Sequence, residues 1–149
     1  MKPINAFLRA IAYAEGTDKP GQHTKNKGYD VIVGGSLMDD YKDHPRKLVK
    51  LPKYGISSTA AGRYQILARY FDVYKIQLGL RDFSPDSQDA IAIQLIKECK
   101  ALADIDAGRI EEAFRKCSSR WASLPGSKYG QRTESMEKLL DVYYAALAS

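Results

Sequence analysis

The feature that most constrains this chain is a change of period. Helical spacing of apolar residues holds up to Glu15, gives way between Thr17 and Gly62, and returns after Gln65. In the middle stretch glycines and prolines are frequent. Two β-prone runs, 29–33 and 47–51, are separated there by turn formers that include Gly34 and Gly35. This predicts a small antiparallel sheet, completed near Arg63 and Tyr64. On either side the signals are helical. Asn5 is placed to cap a first helix over 5–15, which Gly16 ends. A second helix over 66–78 stops at Gly79, and Ser84 followed by Pro85 opens a third that runs to about 102. A fourth spans 109–118. Thr133 then caps a terminal helix over 133–148, whose Met136, Leu139, Leu140, Tyr143 and Leu147 form one apolar face. The expected plan is α+β: one domain over 1–149, mainly helical, with a sheet lobe over about 28–65 and a cleft between lobes that suits an extended ligand.

A chain of 149 residues, 44% hydrophobic and 28% charged, has the composition of a soluble globular protein, and no stretch approaches the roughly 18 apolar residues of a membrane span. The apolar run over 4–14 is interrupted by Arg9. Its Phe7, Ala10, Ile11 and Ala14 fall at helical spacing, which reads as a buried helix rather than a signal peptide, so export would need another route. Two histidines and two cysteines offer few metal ligands. Cys99 and Cys117 are spaced for neither a zinc site nor a redox motif; they read as two thiols buried on helices, with a structural disulfide as the alternative. The net charge of +5 favours an anionic partner, and nucleic acid, anionic lipid and the acidic bacterial wall all qualify.

One carboxylate stands in an unfavourable place. Helix C-termini carry partial negative charge, yet Glu15 occupies the last turn of a helix that is apolar almost all round. Helix field and desolvation both favour the protonated carboxyl. A carboxylic acid kept protonated near neutral pH is what glycosidic cleavage requires, because the departing sugar oxygen must receive a proton. The alternative is a solvated side chain at an exposed helix end.

Several segments in order resemble the bacteriophage lambda endolysin family. They are Ala14-Glu15-Gly16-Thr17-Asp18, Gly28-Tyr29-Asp30-Val31-Ile32-Val33-Gly34-Gly35, Asp43-His44-Pro45-Arg46-Lys47-Leu48-Val49, Ala61-Gly62-Arg63-Tyr64-Gln65, Phe83-Ser84-Pro85, Ser87-Gln88-Asp89-Ala90 and Trp121-Ala122-Ser123-Leu124-Pro125-Gly126. The resemblance covers nearly the whole chain, with departures near 52–58 and after Gln131. It implies a lysozyme-like α+β fold and a lytic transglycosylase that cuts between N-acetylmuramic acid and N-acetylglucosamine, with Glu15 as its catalytic glutamate. It implies that the segment 62–65 lines a cleft and that Tyr129 lies on a loop facing it. It also implies accumulation in the host cytoplasm and access to the wall once a holin opens the membrane. The expected partner is the peptidoglycan glycan strand, met by a monomer with no metal, no cofactor, no nucleic acid and no membrane insertion.

Glycosidases ordinarily use two carboxylates, and here a second is not obvious. Asp30 is the best remaining candidate, although acids in that run can simply pair with nearby lysines. A transglycosylase needs no activated water, since the muramic acid 6-hydroxyl attacks its own anomeric carbon. Tyr64, Gln65, Tyr129 and Asp30 are the candidate substrate-binding residues; sugars are held by aromatic faces and by groups that pair with their hydroxyls. His44 reads as a support of the sheet lobe and Trp121 as core. Two rivals stay open: a hydrolytic muramidase on the same fold, and a basic wall-binding module without catalysis.

Overall fold

The computed structural model describes residues 1–127 and 133–149. Among them are six α-helices and a two-stranded sheet: α1 Pro3–Ala14, β1 Val49–Leu51, β2 Ile56–Ser58, α2 Ala68–Leu78, α3 Pro85–Glu98, α4 Leu102–Asp106, α5 Ile110–Cys117 and α6 Met136–Leu147. The chain forms two units, one of residues 1–16 with 92–149 and one of residues 17–91, the division falling within α3. The second is wider than the lobe expected over 28–65.

In the first unit the interior is apolar. Pro3 starts α1, two residues before the expected cap, because its missing N–H is one that no helix start can satisfy from within. Ala6, Phe7, Leu8, Ala10, Ile11, Ala12 and Ala14 are all buried, and α1 packs on α4 and α6. Phe7 stacks on Phe114 of α5 with ring centroids 4.6 Å apart. Along α5, Ile110, Ala113, Phe114 and Cys117 bury one face at helical spacing. The expected long third helix ends early: Lys100 takes φ 59° and Ala101 N–H reaches back to Ile96 O, so α4 follows as a separate turn. Asp104 of α4 is buried between Lys116 Nζ at 2.6 Å and Arg109 Nε at 2.8 Å. Ser135, rather than Thr133, caps α6 by accepting Lys138 N–H at 3.2 Å. Of the expected apolar face, Leu139 and Tyr143 are buried, and Met136, Leu140 and Leu147 are half-buried.

The second unit is built largely from turns. The run 29–33 is not a strand: Val31 bridges Leu37 and Ile32 bridges Ala61, while Val31 N–H turns back to Gly28 O and Ile32 N–H bonds Ser36 O. Its β-prone side chains are overruled by the glycines around it, with φ of 89° at Gly28 and 91° at Gly34. The run 47–51 does hold a strand, β1, and its partner β2 was not expected; Val49 faces Ser58 and Leu51 faces Ile56. Ala61 also bridges Ile66. The second helix ends as predicted, with Gly79 at φ 65°. Ser84 Oγ accepts Ser87 N–H at 3.3 Å at the predicted start of α3. His44 is enclosed between Phe71 and Phe83; its Nδ1 accepts Arg46 N–H at 2.9 Å and its Nε2 donates to Ile66 O at 2.7 Å.

Candidate active site

Glu15 is the C-cap of α1, with φ −74° and ψ −7°, and Gly16 after it takes the left-handed φ of 78°. The side chain is half-buried, and its Oε2 accepts the Ser123 hydroxyl at 2.7 Å. Ser123 is itself buried and tightly held. After α5 the N–H groups of Arg120 and Trp121 both return to Cys117 O at 3.0 Å, Leu124 N–H returns to Trp121 O, and the Ser123 carbonyl accepts Glu134 N–H at 2.8 Å. Trp121 and Leu124, both buried, anchor that turn from below.

The other candidates lie in the second unit, around the turn at 62–65. Gly62 has φ 84°, and a Cβ there would stand 2.4 Å from Gln88 Oε1, so the position admits only glycine. That same Gln88 oxygen accepts Arg63 N–H at 2.9 Å, while its amide donates to Phe83 O and Tyr29 O. The Arg63 guanidinium is buried. It lies over Tyr29 and Tyr64, at 5.2 and 5.9 Å from their ring centroids, pairs with Asp18 at 2.8 Å and bonds the Lys27 carbonyl. Thr17 donates its hydroxyl to Arg63 O at 2.6 Å.

Tyr64 is 1% exposed, and its hydroxyl donates to Asp89 Oδ1 at 2.5 Å; Tyr29 donates to the same oxygen at 2.9 Å. Burial first, and then the Asp89 charge, push both phenols above their ordinary range, so they remain protonated donors. Gln65, half-buried at φ 54°, donates its amide to Gly62 O at 2.9 Å and Val31 O at 3.2 Å. Asp30 is 4% exposed and accepts from the Thr24 hydroxyl and from Lys25 N–H. Burial raises its pKa, but the hydrogen bonds from Thr24 and from the backbone of Lys25 outweigh that and leave it below the usual carboxylate range.

A family model described as Endolysin matches residues 5–149. The chain belongs to the endolysin family. It is 58% identical over 136 residues to the endolysin of Escherichia phage lambda, covering 91% of this chain and 85% of that protein. To the endolysin of Escherichia phage P2 it is 51% identical over 154 residues, covering 96% and 92%. Its structure is similar to bacteriophage lambda lysozyme complexed with a chitohexasaccharide, with TM-score 0.93 and 54% identity over 97% of this chain and 93% of that one. A second structure of lambda lysozyme matches with TM-score 0.89. The fold of this endolysin is thus α+β and lysozyme-like, and the family is one of phage enzymes that lyse the cell wall.

Glu15 stands in the first unit of the endolysin; Asp30, Tyr64 and Gln65 stand in the second, where Tyr64 and Gln65 share the turn with Gly62 and Arg63. Tyr129 lies outside the described residues. Sequence reasoning assigned no role to Ser123, Asp18 or Asp89, and placed Arg63 only in the segment expected to line a cleft. All four lie in segments quoted for the family resemblance, and a charged or hydroxyl residue inside such a segment was the signal available. Among the described residues no three His, Cys, Asp or Glu side chains are grouped to hold a metal.

Proposed function

We propose that the chain is a peptidoglycan lytic transglycosylase that cuts the bond between N-acetylmuramic acid and N-acetylglucosamine, with Glu15 first as acid and then as base. The observation that carries this reading is the 2.7 Å hydrogen bond from a buried, backbone-held Ser123 to Glu15 Oε2. It helps hold the carboxyl in place, which in its acid form carries the transferable proton. That proton goes to the glycosidic oxygen as the C1–O bond breaks and N-acetylglucosamine departs as an alcohol. The muramic acid 6-hydroxyl then attacks C1, and its proton returns to the Glu15 carboxylate, closing a 1,6-anhydro ring. One proton leaves and one comes back, with no water consumed; tethering makes the attack intramolecular.

Two further points support the reading. The chitohexasaccharide held by the lambda relative is a chain of N-acetylated sugars, the class of ligand proposed here. Asp30, the candidate for a second catalytic carboxylate, has its oxygens bonded to Thr24 and Lys25, which favours a mechanism that needs one. Gln65 and Tyr129 are assigned to sugar hydroxyls. Tyr64 and Asp30, both buried, are assigned to holding their own turns.

Mass spectrometry of digested peptidoglycan tests the proposal. Fragments ending in 1,6-anhydro-N-acetylmuramic acid, each lighter by one water than a hydrolytic product, are expected; reducing muramic acid ends would replace this reading with a hydrolytic muramidase.

A further inference from the structure

Two sets of residues take no part in the chemistry above. The free cysteines are one: Cys117 is buried at the end of α5, while Cys99, expected to be buried on a helix, is half-buried in the turn that follows α3. The other is a group of apolar side chains left in water. Of the eight large apolar residues exposed among those described, six fall between residues 48 and 76: Leu48, Tyr54, Ile56, Tyr70, Val73 and Ile76. Ile76 is the extreme, at 85% exposure. Exposed apolar side chains concentrated in this way mark a surface that meets something else.

Positive charge is concentrated in the same stretch. Residues 46–81 hold eight of the chain's 23 lysines and arginines but one of its 18 acids, Asp72, a balance of +7 where the whole chain carries +5. Arg46 is paired with Asp43 at 3.0 Å and with that Asp72 at 2.6 Å, and the buried Arg63 is paired with Asp18. Lys47, Lys50, Lys53, Arg69 and Arg81 remain exposed.

The two kinds of residue are interleaved on two elements of the second unit. In the β1–β2 hairpin Lys50 lies on the first strand, and Lys53 and Tyr54 occupy the turn, the ammonium 5.9 Å from the ring centroid. Ile56 follows, opposite Leu51. On α2, Phe71 and Tyr74 are buried, and Arg69, Val73 and Ile76 form an exposed stripe at i, i+4 and i+7 on the other side. The Arg69 guanidinium lies 4.9 Å from the Tyr70 ring centroid. Thr59 Oγ1 accepts Ala68 N–H at 3.0 Å, which ties the end of the hairpin to the start of the helix.

We propose that the β1–β2 hairpin and the outer side of α2 adsorb the protein to anionic phospholipid bilayers. The lysines and arginines meet phosphate headgroups, Tyr54 and Tyr70 sit at headgroup depth, and Val73 and Ile76 reach the acyl boundary. The contact is peripheral, since among the described residues no helix is long and apolar enough to cross a membrane. The mixture of side chains selects this occupant. A polar polyanion, wall glycan or nucleic acid, would answer the cations and leave the aliphatic side chains in water. A second copy would cover the aliphatic side chains but set one strongly positive surface against another. An anionic bilayer satisfies both.

The full chain is sedimented with vesicles of phosphatidylglycerol and phosphatidylethanolamine, with vesicles of phosphatidylcholine alone, and with purified peptidoglycan. Binding to the phosphatidylglycerol vesicles is expected, weaker as salt rises and far weaker on phosphatidylcholine. Ile76→Ser should lower vesicle partition about tenfold, the equivalent of fewer than two buried methylenes at roughly fourfold each. It should clear peptidoglycan and melt as the wild type does, because Ile76 is almost fully solvated. Lys50→Gln with Lys53→Gln should lower partition roughly fivefold per lysine and flatten its dependence on salt. A wild type that stays in solution with phosphatidylglycerol vesicles, or an Ile76→Ser variant that binds them as tightly, would overturn the proposal. Peptidoglycan binding weakened by Ile76→Ser without any vesicle binding would give the surface to the wall instead, and self-association abolished by Ile76→Ser would give it to a second copy.

Discussion

In residues 1–16 and 92–149 the interior is apolar side chain on apolar side chain, Phe7 on Phe114 and the buried face of α1 against α4 and α6. In residues 17–91 the interior carries a polar lattice as well. Of the nine buried polar or charged residues among those described, six belong to this second unit: Thr17, Asp30, His44, Arg63, Ser87 and Gln88. The contrast follows from the secondary structure. A helix satisfies its own backbone groups, so its buried face needs only apolar contact, whereas a chain of turns leaves N–H and C=O groups that side chains must meet. Gln88 alone meets Arg63 N–H, Phe83 O and Tyr29 O. The apolar unit therefore holds one carboxyl in a fixed direction, and the polar unit holds an irregular backbone in a fixed shape.

If that division is right, chemistry and shape are separable by mutation. The largest effect is expected of Glu15→Gln, which keeps the side-chain volume and removes the proton. Loss of a general acid lowers rates by about 10²–10⁴-fold; with the base step lost as well, clearing of purified peptidoglycan is expected to fall to the upper end of that range or beyond. Thermal melting should stay close to wild type, because Glu15 caps a helix whose stability comes from its buried face. Retained clearing would remove Glu15 from the chemistry.

Arg63→Met is the converse experiment. It removes a buried guanidinium from Asp18, Lys27 O and the faces of two tyrosines, and breaking such a pair costs about 3–5 kcal/mol, here nearer 3 because the Asp18 side chain is 23% exposed. Urea unfolding measures it. Phe114→Ala in the apolar unit is expected to cost a similar amount, about 3–5 kcal/mol, through its cavity. A cost near zero for Arg63→Met would mean that the polar lattice decorates the second unit rather than holding it.

The same contrast decides what the sequence discloses. Where a helix buries an apolar face the pattern is periodic and local: the end of α1 at Ala14 with Glu15 as its cap, the end of α2 at Leu78 and the start of α3 at Pro85 all follow from caps, glycines and spacing. Where the backbone is satisfied by distant side chains the pattern is silent. The run 29–33 has strand residues but spends its hydrogen bonds in turns, and β2, only Ile56, Ser57 and Ser58, is too short and polar to show alternation. The site divides likewise. Glu15 is legible as a misplaced acid on an apolar helix. Its partner Ser123 is 108 residues away and is brought there by turns after α5 that no local rule specifies.

Ser123→Ala sharpens that last point. Hydrogen bonds to charged groups contribute about 1.5–3 kcal/mol, and the low end of that range corresponds to roughly a tenfold loss of rate. The loss is expected in kcat with KM unchanged, since Ser123 acts on the orientation of Glu15, and Ser123→Thr, which keeps the hydroxyl, should recover most of it. An equal loss in the threonine variant would make Ser123 a packing residue of its turn.

The smallest effect expected is one of pH, read at His44 in the polar unit. Burial above all holds His44 below its ordinary pKa of 6.5; Arg46 adds to this, while the Ile66 carbonyl, Asp43 and Asp72 oppose it. The folded state therefore binds a proton at His44 less readily than the unfolded chain does. The stability this contributes is fully present above about pH 6.5 and is lost as pH falls through 6.5 toward the lower folded value. Melting temperature is expected to decline between pH 7.5 and 5.5, and His44→Gln, although less stable throughout, should flatten that decline. Carboxylates held below their ordinary range, such as Asp30 and Asp43, respond in the same direction but only in more acid solution, as pH falls through their lowered values. A slope unchanged in His44→Gln would place the titrating group elsewhere, and an opposite slope in the wild type would contradict the enclosure of His44 between Phe71 and Phe83.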